Sequence, residues 1–386
     1  SYIYNSKLLM LKETINPVHV PFTDISSYAE DEKERHINNV LNELKRNVWD
    51  CKEGYPVTVS AVKMDENDIR IFLDFDMLIF DGMSTKLFLD KIKHYYDDPH
   101  AIPQVDYSFF DYCLSKTKLQ KSKGYERAKN YWLSDEASLP PAPDISHFNS
   151  DMSAENAVFD RLTETMAQDE WVKIKENILA QGIQPYVLML ALYAKILALY
   201  SGSNYFTVNL PVTNRKAASK NTIGDFTSVL LIDVDVAQEN ISILCEKIQK
   251  KILKALKNRS FDGIEVMRNM AKREHSENAH FPIVFTPMLY DDFRIATDSP
   301  VGKIVRGCSQ TTNVLLDCQI FEYDGNLSIN IDYRKNSFDK RILDNMFKIF
   351  CKDIKRFSNE KTFFDTEFLN KILDEDLEQI QSYNHT

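Results

Sequence analysis

The run Pro185-Tyr-Val-Leu-Met-Leu-Ala-Leu-Tyr-Ala-Lys-Ile-Leu-Ala-Leu-Tyr200 constrains the fold more than any other stretch of the chain. It is apolar all around a helical wheel, and Pro185 suits the first turn of a helix. A helix without a polar face has to be buried. Lys195 interrupts its longest apolar stretch too soon for it to span a bilayer. Other elements must therefore close around it. The 386 residues, 44% hydrophobic and 27% charged, are enough for two or three compact units.

Those elements can be placed from periodicity and capping. Ile69–Asp76 alternates, which predicts a half-buried strand with Ile69, Ile71, Leu73 and Phe75 on its inner face. Ser84 is expected to N-cap a helix bearing Leu87, Phe88, Ile92 and Tyr95 on one stripe. Tyr125, Ala128 and Trp132 mark a second amphipathic helix. Leu139-Pro-Pro-Ala-Pro-Asp144 excludes regular structure and is the best lobe boundary. Beyond it, Val158-Phe159 opens the second half, and a helix runs from about Asp169 to Gln181, capped by Gly182. Strands are expected at Tyr205–Leu210, Ser228–Val236, Pro282–Thr286, Asn313–Phe321 and Leu327–Tyr333, the last two joined in a hairpin through Asp324-Gly325. A helix from Lys340 to about Phe357 closes the unit. The fold class is α/β (α+β).

Composition narrows the function. The balance of 47 basic against 57 acidic residues, a net charge of -10, disfavours nucleic acid and anionic membranes as partners. Cys51, Cys113, Cys245, Cys308, Cys318 and Cys351 form no CxxC pair and fit free thiols in a reducing cytoplasm. No signal peptide is expected. With 10 glycines and neither GxGxxG nor GxxxxGK[ST], a nucleotide-binding loop has no support. The eight histidines form no HExxH or HxH, so no metal site is expected. There is no GxSxG elbow.

Four constellations remain, each with a plain alternative. Asp76 and Asp81 straddle a strand end and a helix start. They read either as a carboxylate pair at a site, or as Asp81 in a buried ion pair with an arginine and Asp76 binding loop amides. Asp317 shares a strand face with Leu315, Gln319 and Phe321. A carboxylate there is either a poised acid of raised pKa or an edge residue facing water. Thr286, at a strand end, either donates a hydrogen bond to a reacting oxygen or simply starts a turn before Pro287. Asn214-Arg215 follows a strand, and Arg215 either pairs with Asp81 or is solvated.

The order of segments adds a resemblance. Asp76–Ser84 has the form DxxxxDxxS, similar to the signature of heterocyclization domains of nonribosomal peptide synthetases. In ordinary condensation domains HHxxxDG stands there, and its two histidines would fall on Asp76 and Met77. Phe109-Phe-Asp-Tyr112 resembles "FRDY" with Phe110 for Arg, and Tyr131-Trp132 with Leu139–Pro143 resembles "YW…LPxAP". Asn209–Arg215 is similar to the strand leading to an NR pair, and Gly224–Asp233 to "GDFTxLxLLxxD". Phe261–Arg268 with Pro282–Thr286 resembles the "PvVFTS" region, and Gln310–Gln319 "QTPQVwLDxQ". Pro287, Thr312-Asn313 and Leu315 depart from these patterns. The family's opening "FPLTxxQxAYxxGR" is absent, so a few tens of residues are expected before Ser1.

The resemblance implies two chloramphenicol-acetyltransferase-like lobes in a V-shaped pseudodimer, with an incomplete N-terminal lobe over 1–145, a C-terminal lobe over 146–357 and a linker toward an adenylation domain over 358–386. It implies amide formation between a donor thioester and a carrier-bound Cys, Ser or Thr, then cyclodehydration to a thiazoline or oxazoline. Asp317 would be the acid/base with Thr286 orienting or relaying beside it. Asp76, Asp81, Gly82, Ser84, Asn214, Arg215 and Gln310 would be motif residues, with Asp81 clamped to Arg215. Partners would be upstream and downstream peptidyl carrier proteins with their 4'-phosphopantetheine arms, the domain itself binding no cofactor. Two alternatives remain: a condensation-only domain of the same fold, and a degenerate domain that only docks carriers.

Overall fold

A computed structural model describes residues 2–4, 8–10, 19–47, 57–100, 106–134, 139–145, 158–237, 240–274, 281–289, 302–311 and 313–358. Chain contacts divide it into two compact units, one drawn from Ser1–Val105, Asn221–Asp225 and Ser299–Gly302, the other from the remainder. The lobe limits and linker expected above remain expectations, and residues 359–386 lie outside those described.

In the first unit, β1 (Tyr2–Tyr4) pairs with β2 (Leu8–Met10). Then come β3 (Phe22–Asp24), α1 (Glu30–Leu44), β4 (Val57–Lys63), β5 (Ile69–Phe75) and α2 (Gly82–Asp97). The second sheet has the order β3-β4-β5, with β3 parallel to β4 and β4 antiparallel to β5. α1 lays Ile37, Val40, Leu41 and Leu44 against buried Ile25, Val62 and Phe72. The strand expected at 69–76 is present, but its faces are the reverse of those expected. Ile69 and Ile71 are 55% and 43% exposed, whereas Phe72 is buried. The cause is α1, whose apolar stripe is too sparse to stand out in the sequence and which covers the Phe72 side. Only at the strand's end does the expected face turn inward, where Phe75 meets Phe80 and Phe88 with ring centroids 4.8 and 5.3 Å away.

The second unit holds α3 (Phe109–Leu119), α4 (Lys123–Leu133), β6 (Phe159–Met166), α5 (Gln168–Ala180), α6 (Pro185–Ser201), β7 (Tyr205–Thr213), β8 (Thr227–Asp235), α7 (Ile241–Lys257), α8 (Gly263–Glu274), β9 (Ile283–Met288), β10 (Leu316–Tyr323), β11 (Asn326–Arg334) and α9 (Lys340–Arg356). Leu139–Ile145 is irregular, as its prolines require. α6 is buried along nearly its whole length. It starts with Pro185 at N1 and stops at Gly202, whose φ of 67° is the left-handed conformation of a helix C-cap. Its one charge, Lys195, donates to the Val236 carbonyl at 2.9 Å. Among the described residues, no single helix is long and apolar enough to cross a membrane.

The six strands run in the order β6-β11-β10-β9-β7-β8. β9 is parallel to both neighbours, and the other pairings are antiparallel. The expected hairpin joins β10 to β11, with Asp324 and Gly325 at φ 52° and 76°. Alternation gives the sheet two characters. Leu316, Cys318, Ile320, Ile283, Phe285, Ile329 and Ile331 join the core with α6. The intervening residues Asp317, Gln319, Thr286, Asn330, Asp332, Arg161 and Thr163 stand on the other face, aligned by register. At the β8 end α8 approaches so closely that a side chain on Gly263 would lie 2.8 Å from Val229 Cγ1. β9 also carries Pro287, opposite Ile320, inside the sheet rather than at its edge.

Candidate active site

The polar face of the second unit brings together the two residues expected to do chemistry. Thr286 pairs in register with Gln319, one pleat beyond Asp317. Across this diagonal the Thr286 hydroxyl donates to Asp317 Oδ1 at 2.6 Å. The other carboxylate oxygen, Oδ2, accepts from Gln319 Nε2 at 2.8 Å. Burial pushes the Asp317 carboxyl up to about 6. The bonds from Thr286 and Gln319 pull the other way, Asp332 adds to the rise and Arg161 opposes it. A carboxyl with this pKa exists in both forms near neutral pH and can give or take a proton. Asp317 is therefore neither a plain edge residue nor unpartnered, and Thr286 does not start a turn, because β9 continues through Pro287 to Met288.

Behind the dyad lies a layer that the sequence reading leaves unassigned. Asp332, only 2% exposed, accepts from Arg161 Nε and Nη2, both at 2.6 Å. It also accepts from the Ser309 backbone N–H at 2.8 Å and from Gln319 Nε2 at 3.1 Å. Arg161 Nη2 donates to Gln319 Oε1 at 3.0 Å. Turning the Asn330 amide so that its oxygen faces Arg161 Nη1, 3.1 Å away, satisfies both groups. A signal for this layer was present: Ser328, Asn330, Asp332 and Arg334 alternate with Leu327, Ile329, Ile331 and Tyr333 along β11. A strand with one wholly polar row, buried throughout, needs partners for that row. Gln310 lies beside Ser309 with its side chain exposed.

The first motif sits in the first unit. Asp76 receives the Leu78 N–H at 2.9 Å, the loop-amide reading. Asp81, 5% exposed, is the N-cap of α2 and accepts from the Ser84 N–H at 2.7 Å, with Gly82 the first helical residue. Ser84 is thus not the cap expected from sequence. It lies inside the first turn, fully buried, its hydroxyl donating to the Gly224 carbonyl at 2.7 Å and accepting the Gly224 N–H at 3.0 Å. The helix starts at Gly82, so Asp81, the extended residue just before it, takes the capping role. In the second unit, the Asn214 N–H donates to Phe226 O at 2.8 Å. The Arg215 guanidinium stacks on the Phe226 ring, 4.2 Å from its centroid, and donates to Ser219 O at 3.0 Å. Asp81 and Arg215 belong to different units, so the ion pair between them stays an expectation. Among the described residues, no cluster of His, Cys, Asp and Glu could hold a metal ion.

A family profile described as "Condensation domain" matches residues 5–367. The chain belongs to the condensation domain family. This condensation domain is 32% identical over 286 residues to bacitracin synthase 1 of Bacillus licheniformis, covering 72% of the chain and 5% of that protein. It is 27% identical over 333 residues to the phenyloxazoline synthase MbtB of Mycobacterium tuberculosis, covering 81% and 23%. The chain therefore spans well under two thirds of these relatives. Its fold matches the cyclization-docking bidomain of the nonribosomal peptide synthetase EpoB from Sorangium cellulosum, with a TM-score of 0.84 and 24% identity, over 95% of this chain and 75% of that one. The expected fold class and the resemblance to the condensation superfamily both hold.

Proposed function

We propose that this condensation domain is a heterocyclization domain of a nonribosomal peptide synthetase. The observation that carries the reading is the Thr286–Asp317 pair, a hydroxyl bonded to a carboxyl of raised pKa on adjacent strands. A ring-closing step needs this equipment. The amine of a carrier-bound Cys, Ser or Thr first displaces the donor thioester. The side-chain thiol or hydroxyl then adds to the new amide carbonyl, leaving a hydroxyl on a tetrahedral carbon. That hydroxyl departs as water only when protonated, and the nitrogen loses its proton as the C=N bond forms. Asp317 supplies the proton and Thr286 lies where it can pass it on. Asp76 and Met77 occupy the positions at which an amide-forming condensation domain carries its histidines, and relatives named for a phenyloxazoline and for cyclization favour the same reading.

The carrier proteins' 4'-phosphopantetheine arms would bring both substrates, an adenylation domain would load the acceptor, and the setting would be cytoplasmic. The test uses the protein with loaded donor and acceptor carriers, read by intact-carrier mass spectrometry. The native protein is expected to leave on the acceptor carrier an amide that has lost one water, and Asp317→Asn to stop at the amide that keeps it. A native product that keeps its water would identify a condensation-only domain. No product at all would identify a carrier-docking one. An Asp317→Asn variant that still dehydrates would remove Asp317 from the chemistry.

A further inference from the structure

We infer that Arg161 and Asp332 are positioning residues, which hold the Gln319 amide with its nitrogen toward Asp317, so that Asp317 carries its transferable proton on Oδ1, the oxygen facing Thr286. The inference rests on the ring-closing reading above and adds a direction to it.

An amide oxygen and nitrogen have nearly the same shape, so packing alone does not decide which end of Gln319 faces Asp317. Hydrogen-bonding sense does. Arg161 Nη2 can only donate, and it stands 3.0 Å from Gln319 Oε1. The Asp332 carboxylate, in a two-point bond to Arg161, can only accept, and its Oδ2 stands 3.1 Å from Gln319 Nε2. Both neighbours select one orientation, and its second N–H then points at Asp317 Oδ2, 2.8 Å away. A proton placed on Oδ2 along that line would meet an N–H. Oδ1 instead faces a hydroxyl 2.6 Å away, which can reverse its sense.

This fixes a path. Asp317 Oδ1–H donates to Thr286 Oγ1, and the Thr286 hydrogen is freed to point at the departing hydroxyl. In the reaction the Thr286 proton goes to that oxygen, the C–O bond breaks and water leaves. The Asp317 proton replaces the one Thr286 gave, and the proton shed by the ring nitrogen restores Asp317. One water is released and both residues return to their starting state.

Among the described residues, these charged or titratable groups face the Asp317 network. Asp332 on β11 and Arg161 on β6 lie on its own side of the sheet, Cys308 in the 302–311 segment acts on Arg161, and Cys318 and the buried Tyr193 of α6 lie behind Asp317. Arg161→Met alone would strand a buried carboxylate and threaten folding. The variant to use is Arg161→Met with Asp332→Asn. It removes both charges together, keeps an acceptor for the Ser309 N–H, and frees the Gln319 amide to turn.

Two measurements decide the matter. The first needs no turnover: an NMR titration with carbonyl-labelled aspartate, in which Asp317→Asn identifies the Asp317 signal. The double variant is expected to titrate at higher pH than the native protein, because Asp317 has lost a fixed donor. Coincident titrations would overturn the positioning role whether or not the protein closes rings. The second is the pH profile of water loss. Its maximum should fall about tenfold or more relative to amide formation, and its alkaline limb should move up with the titration. An equal loss in both steps with the limb unmoved would mean a merely structural pair and would overturn the inference. A native product that keeps its water would instead sink the proposed function, leaving the titration to judge Arg161 and Asp332.

Discussion

Replacing Asp317 by Asn should stabilise the protein at neutral pH while stopping the ring closure proposed above. The native carboxyl holds its proton up to about pH 6, against an ordinary value of 3.8. It therefore binds a proton more tightly in the folded than in the unfolded chain, and stability falls as pH rises from about 4 through about 6. A rise of this size corresponds to about 3 kcal/mol by pH 7. Partial access of solvent to the site trims this to roughly 2 kcal/mol. Asn lacks the titrating proton but keeps the shape. Its oxygen can accept from Gln319 Nε2 and its nitrogen can donate to Thr286 Oγ1, because a hydroxyl accepts as readily as it donates. Urea unfolding of both proteins between pH 4 and 8 measures the difference. The curves should converge near pH 4, and the advantage of the Asp317→Asn variant should open to about 2 kcal/mol by pH 7. A pH-independent difference, of either sign, would mean that Asp317 has the same proton affinity folded and unfolded and is no poised acid.

Other substitutions test neighbouring features. Thr286→Val removes one of the bonds that lower the Asp317 pKa, so the alkaline limb of water loss should move up while its maximum falls, about 10²-fold if the hydroxyl relays the proton, measured as the ratio of ring to open amide. Ser84→Ala deletes a hydroxyl that both donates to and accepts from the Gly224 backbone inside a buried site, and should cost about 2 kcal/mol by chemical denaturation. Gly263→Ala would set a methyl 2.8 Å from Val229 Cγ1 and 2.9 Å from Val229 O. Pushing α8 away from β8 should cost about 1–3 kcal/mol, read as a lowered unfolding midpoint.

Sequence pattern disclosed those features whose cause is local. α6 announces itself by a wheel that is apolar on every side but for Lys195, between a proline and a glycine. The β10–β11 hairpin follows from Asp324-Gly325. Thr286 and Asp317 were legible as neighbours only through ordered motifs, since no local rule joins residues 31 apart. What escaped depends on partners far away in the chain. Arg161 and Asp332 are separated by 171 positions, so neither stretch reveals alone that the two form an ion pair. Ser84 illustrates the opposite error. It satisfies a local rule for capping, but Asp81 satisfies it better, and the serine hydroxyl goes instead to a backbone 140 residues on. The faces of β5 depart from expectation because alternation tells which residues share a side, whereas the choice of buried side belongs to α1.

Pro287 has a consequence for the residue before it. A proline ring disfavours the helical region for its predecessor and biases it toward extended backbone. In β9 that predecessor is Thr286, already β-branched and limited to few side-chain rotamers. The proline gives up one N–H of the ladder, and in return the hydroxyl sits on a main chain with fewer alternative shapes to sample, in the unfolded state as well. Part of the entropy of aiming it at Asp317 is thus absent from the unfolded chain, the rest is lost on folding, and little is left to lose when substrate arrives.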